Sequence, residues 1–168
     1  MKKIILLLIM PFLLLGCNIN NTPTSKVEEL MTKYQSLDTQ IEEEIENILS
    51  DEYLTLEQKN EYKKLIKEQY QNINYDVKEE IIDGDNATVT IEIKVTDFKD
   101  AINKAEEKYL NKDDYTIEEY NNDKIEELKK AKEKIKYTLD IELNKTNDGD
   151  WKVKNLTNVE KKKIQGMY

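Results

Sequence analysis

Helical periodicity marks the part of the chain that follows residue 25. One apolar stripe, spaced mostly at intervals of three and four, comprises Val27, Leu30, Met31, Tyr34, Leu37, Ile41, Ile45, Ile48 and Leu49. This spacing predicts an amphipathic helix, and Ser25 with Glu28 fits a capping box at its start. A second capping box, Thr55 with Gln58, predicts another helix that runs to about Asn72. We expect the two helices to pair as a hairpin.

The hydrophobic period then changes from 3.6 to two. Tyr75 and Val77 alternate with charged residues, and every second residue is apolar throughout 87–95. Such alternation is typical of strands that bury one face in an antiparallel sheet. The polar segment 83–86 between these runs has the Asp, Asn and Gly residues of a tight turn. The pattern therefore predicts a β-hairpin.

Three further capping residues predict helices beyond this hairpin. Asp97 is suited to cap a helix that follows the second strand, and Thr116 is suited to cap another that runs to about Lys134. Thr157 begins a short final helix that is expected to end near Gly166.

A second hairpin lies between these helices. Alternation over 137–143 is followed by a turn at 147–150 and by a short apolar segment at 151–153. The predicted fold is therefore α+β: an antiparallel sheet of about four strands, in two hairpins, covered on one face by helices. Residues 26–168 are expected to form a single domain of this kind.

The first 16 residues differ from everything that follows. Lys2 and Lys3 precede an apolar run, residues 4–15, of about 12 residues. A helix that crosses a bilayer needs about 20 apolar residues, so the run is too short to be a permanent span. A basic head followed by a short apolar core is typical of a signal peptide.

The end of this run resembles the lipobox of bacterial lipoproteins. It reads Leu14-Leu15-Gly16-Cys17, and Cys17 is the only cysteine in 168 residues. The resemblance implies cleavage between Gly16 and Cys17 and a lipid on the Cys17 thiol. An ordinary secretory signal with an incidental cysteine is the alternative interpretation.

Lipid modification would also decide where the protein resides. Two or three acyl chains, such as palmitate, hold a protein firmly where one chain binds reversibly. We therefore expect a lipid anchor on the extracytoplasmic face of the cell membrane. Residues 17–25, which include Pro23, would form the lipidated N-terminus and a polar tether.

Composition excludes several kinds of function. The chain has no histidine, one cysteine, 35 acidic residues and 26 basic ones, giving a formal charge of −9. Histidine-based triads and Cys/His zinc sites are therefore excluded. The negative charge also argues against a nucleic-acid partner, because a phosphate backbone requires clustered cations.

Several segments together carry a family resemblance. Residues 54–75, 82–89, 136–145, 149–153 and 166–168 resemble a family of small lipoproteins from low-GC Gram-positive bacteria. Domains of that family are similar to the nuclear transport factor two-like, or cystatin-like, α+β roll. The resemblance implies a curved sheet that wraps helices around a conical cavity. The family has no established activity, so the resemblance assigns a role only to Cys17.

Other candidate sites are weaker. The Asp- and Asn-rich segments 83–86 and 147–150 lack the ligand spacing of a calcium loop and are interpreted as hairpin turns. The glutamates at 42–44 and 46 are expected to form a solvated helix face. Tyr75, Tyr137 and Trp151 are expected to share one face of the sheet, where they either fill the core or line a pocket.

The sequence thus favours a non-catalytic domain that binds a ligand or a protein in the cell envelope. Its expected partners are the membrane, through the lipid on Cys17, and an envelope protein or a small ligand, with no cofactor. One alternative is an envelope spacer or surface antigen without a ligand. The other is an enzyme that performs acid/base chemistry with a pocket carboxylate paired with tyrosine.

Overall fold

The computed structural model describes residues 21–50 and 52–168. The predicted signal peptide, including Gly16, and the predicted lipid-modified Cys17 lie outside the described residues. The described elements are α1 (Pro23–Ser36), α2 (Thr39–Ser50), α3 (Leu56–Gln71), β1 (Asn74–Asp83), β2 (Asn86–Thr96), α4 (Phe98–Leu110), α5 (Ile117–Lys130), β3 (Lys134–Lys145), β4 (Trp151–Val153) and α6 (Asn158–Gln165).

The first helix begins earlier than predicted. Thr22, not Ser25, is the N-cap, and Ser25 is its capping-box partner, since each side chain accepts a hydrogen bond from the other's backbone N–H. Pro23 occupies the first helical position, where its fixed φ fits and its missing N–H costs nothing. The predicted tether is therefore shorter at its C-terminal end, because Pro23 to Ser25 belong to α1.

The single stripe predicted for residues 27–49 is divided between two helices. Leu37 has left-handed backbone angles (φ 54°, ψ 53°) and ends α1. The Asp38 side chain then accepts the Ile41 N–H at 3.0 Å. Because Asp38 caps a new helix, the apolar residues that follow it belong to α2, and the chain changes direction between the two helices.

The four strands form one antiparallel sheet in the order β1-β2-β3-β4. The two predicted hairpins are confirmed, although β4 has only three residues. β2 pairs with β3 along its whole length, from Asn86 opposite Asn144 to Thr96 opposite Lys134. The helices α4 and α5 therefore leave and rejoin the sheet at the same end.

Alternation decides which face of this sheet is covered. The apolar residues of β2 are all buried, whereas their polar neighbours are half-buried or exposed. Helices α1 and α6 contact β2, and α3 packs against α1 and α6. The prediction of an α+β fold with a four-stranded antiparallel sheet covered by helices is confirmed.

Most predicted caps are present. Thr55, Thr116 and Thr157 each form a capping box, and the Asp97 side chain accepts the Asp100 N–H. α5 ends at Lys130, before the predicted Lys134, because that lysine already begins β3.

The last helix is fastened to the sheet by Gln69 of α3. Its Nε2 donates to the carbonyls of Thr96, at 2.8 Å, and Gln165, at 3.0 Å. Its Oε1 accepts the Thr96 N–H at 3.0 Å. Gly166, at φ +73°, packs directly against this group, and its carbonyl accepts the Lys99 N–H at 2.8 Å. One buried amide thus joins α3, β2 and the C-terminus of α6.

Candidate functional site

A cleft of about 550 Å³ opens between α1, α2 and the segment from β4 to α6. Its volume is within the range of small-molecule sites. The lining residues are Lys26, Glu29, Leu30, Lys33, Tyr34, Gln40, Ile41, Glu44, Trp151, Lys152, Val153, Lys154, Asn155, Leu156 and Lys161.

Helical spacing explains one wall of the cleft. Lys26, Glu29 and Lys33 recur at intervals of three and four along α1, so they share one side of that helix. Trp151 of β4 contributes to the opposite wall, with only 8% of its surface exposed. α1 packs directly against β4. Residues distant in sequence are therefore brought to one opening by the fold.

A carboxylate with three partners lies in the cleft. Glu44 Oε1 is within 3.4 Å of the hydroxyls of both Tyr34 and Tyr70, which donate to it. Its Oε2 pairs with the Lys161 ammonium at 3.0 Å. The two tyrosine rings meet edge to face, with centroids 5.0 Å apart. Glu44 is thus held by α1, α3 and α6 together.

This cluster corrects the prediction that residues 42–44 and 46 form one solvated face. Glu42 and Glu46 do face outward, where they pair with Lys67 and Lys63 of α3. The side chain of Glu44 is only 18% exposed, because its position three residues after Ile41 places it beside the apolar stripe. The interval of three residues between Ile41 and Glu44 is the feature of the sequence from which this burial could have been predicted.

The electrostatics of the cluster make both tyrosines hydrogen-bond donors. Burial raises the pKa of the Tyr34 and Tyr70 hydroxyls, and the negative charge of Glu44 raises both further. Both hydroxyls therefore stay protonated at neutral pH and act as donors. A general base needs a pKa near the working pH, so neither tyrosine is suited to accept a proton.

The cleft is locally basic on an acidic protein. Five lysines and two glutamates line it, whereas the chain as a whole carries −9. Glu29 is engaged by Lys26 at 3.3 Å and Lys33 at 3.4 Å. Lys154 pairs at 3.0 Å with Glu142, which lies outside the lining. The opening therefore keeps a positive excess even when Glu142 is counted.

The three predicted aromatic residues share the helix-covered face of the sheet but do not meet. Tyr75 and Tyr137 flank Ile93 in one row across the strands. Trp151 lies opposite Lys145 of β3. Lys145 is eight residues from Tyr137 along that strand, which corresponds to about 26 Å. Trp151 belongs to the core and lines the cleft. Tyr75 and Tyr137 pack against the edge of the core, and Tyr75 also lines a separate opening of about 400 Å³.

The two acidic turns lie side by side. The N–H of Lys145, the last residue of β3 before the second turn, donates to the Asp85 carbonyl of the first turn at 2.8 Å. Gly84 and Gly149 have φ of +60° and +87°, as tight turns require. Within 21–50 and 52–168, no group of three or more acidic or cysteine side chains is placed to hold a metal ion.

A buried lysine, Lys124 of α5, lies against Tyr62 of α3. Only 5% of the Lys124 side chain is exposed, and its ammonium pairs with Glu52 at 2.9 Å. The same ammonium lies 4.9 Å from the centre of the Tyr62 ring and 5.8 Å from that of Tyr120. Since Glu52 precedes α3, this pair ties the α2–α3 connection to α5.

Removing the partner of this lysine should destabilise the fold. We expect Glu52→Ala to lower the free energy of unfolding by about 1–3 kcal/mol, because a buried ammonium loses its counter-ion while the lost partner is itself only partly buried. Glu68→Ala, which breaks the exposed pair with Lys64, is the matched control and should be nearly neutral. Urea unfolding followed by circular dichroism measures both. In the Lys124→Met background, Glu52→Ala should cost much less; an equal cost would contradict the pairing.

The fold and the cleft define an α+β domain with a basic, partly apolar cleft. No protein-family model matches the chain, and no curated protein and no solved structure is significantly similar to it. Among the described helices, none is long and apolar enough to cross a membrane.

Proposed function

We propose that this protein is a lipoprotein anchored by Cys17 on the extracytoplasmic face of the cell membrane. Its domain is a non-catalytic accessory module that binds a small ligand or an envelope protein. The observation that carries the binding role is the cleft of about 550 Å³, which combines charged and apolar walls.

Sequence chemistry supports the anchor. The only cysteine follows Leu14-Leu15-Gly16 at the end of a short apolar run, where lipid attachment requires it. Cys17 is also just four residues before Asn21, the first described residue of the domain. A lipid at this position would hold the domain at the membrane without any spanning helix.

The proposal also specifies the type of α+β fold. We assign the domain to the cystatin-like type of roll, in which a sheet wraps around helices. Its support is the four-stranded antiparallel sheet with helices against one face.

Binding is favoured over catalysis by the state of Glu44, which lines the cleft, and of the two tyrosines that donate to it. The hydroxyls of Tyr34 and Tyr70 have raised pKa values because of burial and the nearby Glu44. Glu44 is already occupied by these donors and by Lys161. A carboxylate with its partners in place is suited to shape a binding site.

The anchor is tested by Cys17→Ser. We expect the wild-type protein to incorporate radiolabelled palmitate and to lose its signal peptide, because the thiol is the acceptor and acylation precedes cleavage. The variant should take up no label and should keep the precursor size on a gel. Metabolic labelling followed by membrane fractionation measures both effects.

A displaced cysteine provides the matched control. Asn20→Cys in the Cys17→Ser background restores one thiol, but outside the Leu-x-Gly-Cys pattern. This double variant should stay unlabelled. Palmitate incorporation that persists in Cys17→Ser would refute the proposal.

A further inference from the structure

Hydrogen bonds attach Asn21, the first described residue, to one wall of the cleft. The Asn21 side chain donates to Asp150 Oδ1 at 2.9 Å and accepts the Trp151 N–H at 3.0 Å. Thr24 donates its backbone N–H and its hydroxyl to Glu80 of β1, at 2.9 and 2.6 Å. The N-terminus of α1 is therefore fixed to the turn end of the sheet.

This attachment limits the distance between the cleft and a lipid on Cys17. Only three residues lie between Cys17 and Asn21, so the four Cα–Cα steps that join them span at most about 14 Å when fully extended. Asn21 itself contacts the backbone of Trp151, which lines the cleft. A lipid-anchored protein would thus hold this cleft next to the membrane surface.

The charge of the cleft selects an anion. Its two glutamates are engaged by Lys26, Lys33 and Lys161, as described above. Lys152, which alternates with Trp151 and Val153 along β4, is exposed at the rim of the cleft. A concave site lined by one sign of charge concentrates its field, even on a protein of opposite net charge.

The apolar side chains of the lining favour a ligand that has an apolar part as well as a charge. Apolar side chains stand between the lysines, namely Leu30, Ile41, Trp151, Val153 and Leu156. An aromatic ring with aliphatic neighbours contacts carbon atoms, while the ammonium groups contact oxygen atoms.

We propose that the cleft binds the phosphate group of an amphiphilic anion of the glycerophosphate type, close to the membrane surface. The five lysines outnumber the two glutamates, so the lining keeps positive charge for an anionic phosphate. Lysine ammonium groups are good phosphate ligands because they act as compact point charges. The proximity to the membrane rests on the proposed lipid anchor, whereas the charge and shape of the cleft do not depend on it.

Trp151 provides the measurement, since it is the only tryptophan in the chain. The full lipidated protein is placed in phosphatidylcholine vesicles, and its fluorescence is recorded as phosphatidylglycerol is added to the bilayer. A second titration adds soluble glycerol 3-phosphate instead. We expect a saturable change in at least one titration. Phosphatidylglycerol alone would identify a lipid headgroup as the source, and a response to glycerol 3-phosphate would identify a soluble one.

Lysine variants separate cleft binding from general attraction to anions. Lys33→Gln with Lys152→Gln should weaken the response at least about fivefold, since two ammonium groups of the lining are lost. Lys64→Gln with Lys104→Gln removes the same charge from exposed helix positions outside the cleft. This control should respond like the wild type.

Two results would overturn the proposal. One is the absence of any Trp151 response to either anion, and the other is an equal loss in the cleft and control variants. Flotation with pure phosphatidylcholine vesicles reports the lipid anchor separately. A protein that fails to float but responds to glycerol 3-phosphate would contradict the anchor and support the cleft.

Discussion

Gly166→Ala is expected to lower the free energy of unfolding by more than about 3 kcal/mol. Gly166 has φ +73°, a left-handed conformation that costs an alanine about 1–2 kcal/mol. A Cβ at this position would also overlap the Thr96 carbonyl oxygen and lie 2.5 Å from the Gln69 Nε2. Because the carbonyl belongs to the sheet backbone, it cannot move aside without breaking β2 pairing.

Two other glycines separate these causes. Gly84 and Gly149 also have positive φ, but nothing lies within 4 Å of a Cβ at either position. Gly84→Ala and Gly149→Ala should therefore show only the conformational cost, about 1–2 kcal/mol each. Urea unfolding followed by far-ultraviolet circular dichroism compares the three variants. Equal losses at all three positions would show that the close approach at Gly166 contributes nothing.

The expected loss at Gly166 extends to the cleft. α6 ends at this glycine, and the same helix carries Lys161, the ion-pair partner of Glu44. Gln69 anchors the end of α6 to Thr96, so a displaced glycine would shift the helix relative to α3. The C-terminal attachment thus stabilises both the sheet and one wall of the proposed site.

Local chemistry explains what could be predicted from the sequence. Capping at Thr55, Thr116 and Thr157 depends on residues three apart, and the strands depend on alternation between neighbours. These signals lie within a few residues of the element that they define. The order of helices and hairpins followed from them, except that the first predicted helix is divided into α1 and α2, and so did the covered face of the sheet.

The break between α1 and α2 shows how a pattern can be continuous although the helix is not. Leu37 continues the apolar spacing, but its side chain packs against the core while its backbone turns left-handed. Asp38 supplies the cap that would have revealed the break. A leucine with positive φ is rare, so the periodic pattern favoured one longer helix.

The cleft could not be predicted because its walls come from opposite ends of the domain. Lys26 and Trp151 are far apart in sequence, and the Asn21 contacts that bring their segments together have no sequence signature. Trp151 was a candidate only as an aromatic residue on the sheet. Its position beside the lysines depends on how α1 packs against β4, which is tertiary structure.

Alkaline conditions should unfold this domain steeply. Burial is the main cause that raises the pKa of Tyr34, Tyr62 and Tyr70 above the ordinary value of 10.0. Above that pH the unfolded chain releases these protons, whereas the folded domain retains them. Stability from these groups is therefore complete below pH 10 and decreases as the pH rises above it. Each tyrosine should contribute about 1.4 kcal/mol per pH unit, or about 4 kcal/mol per unit for the three together.

Tyrosine variants distinguish this effect from the loss of lysine charge, which occurs over the same range. Urea unfolding between about pH 8 and about pH 11 gives the slope of stability against pH for each protein. Tyr70→Phe should remove about one third of the slope that the buried tyrosines contribute, because one of the three titrating hydroxyls is gone. Tyr53→Phe changes a side chain that is 87% exposed and should leave the slope unaltered. Lysine deprotonation is common to both variants, so the difference between them belongs to the buried hydroxyl. Equal slopes, or tyrosinate absorbance that develops fully near pH 10 in the folded protein, would show that these tyrosines are not protected by burial.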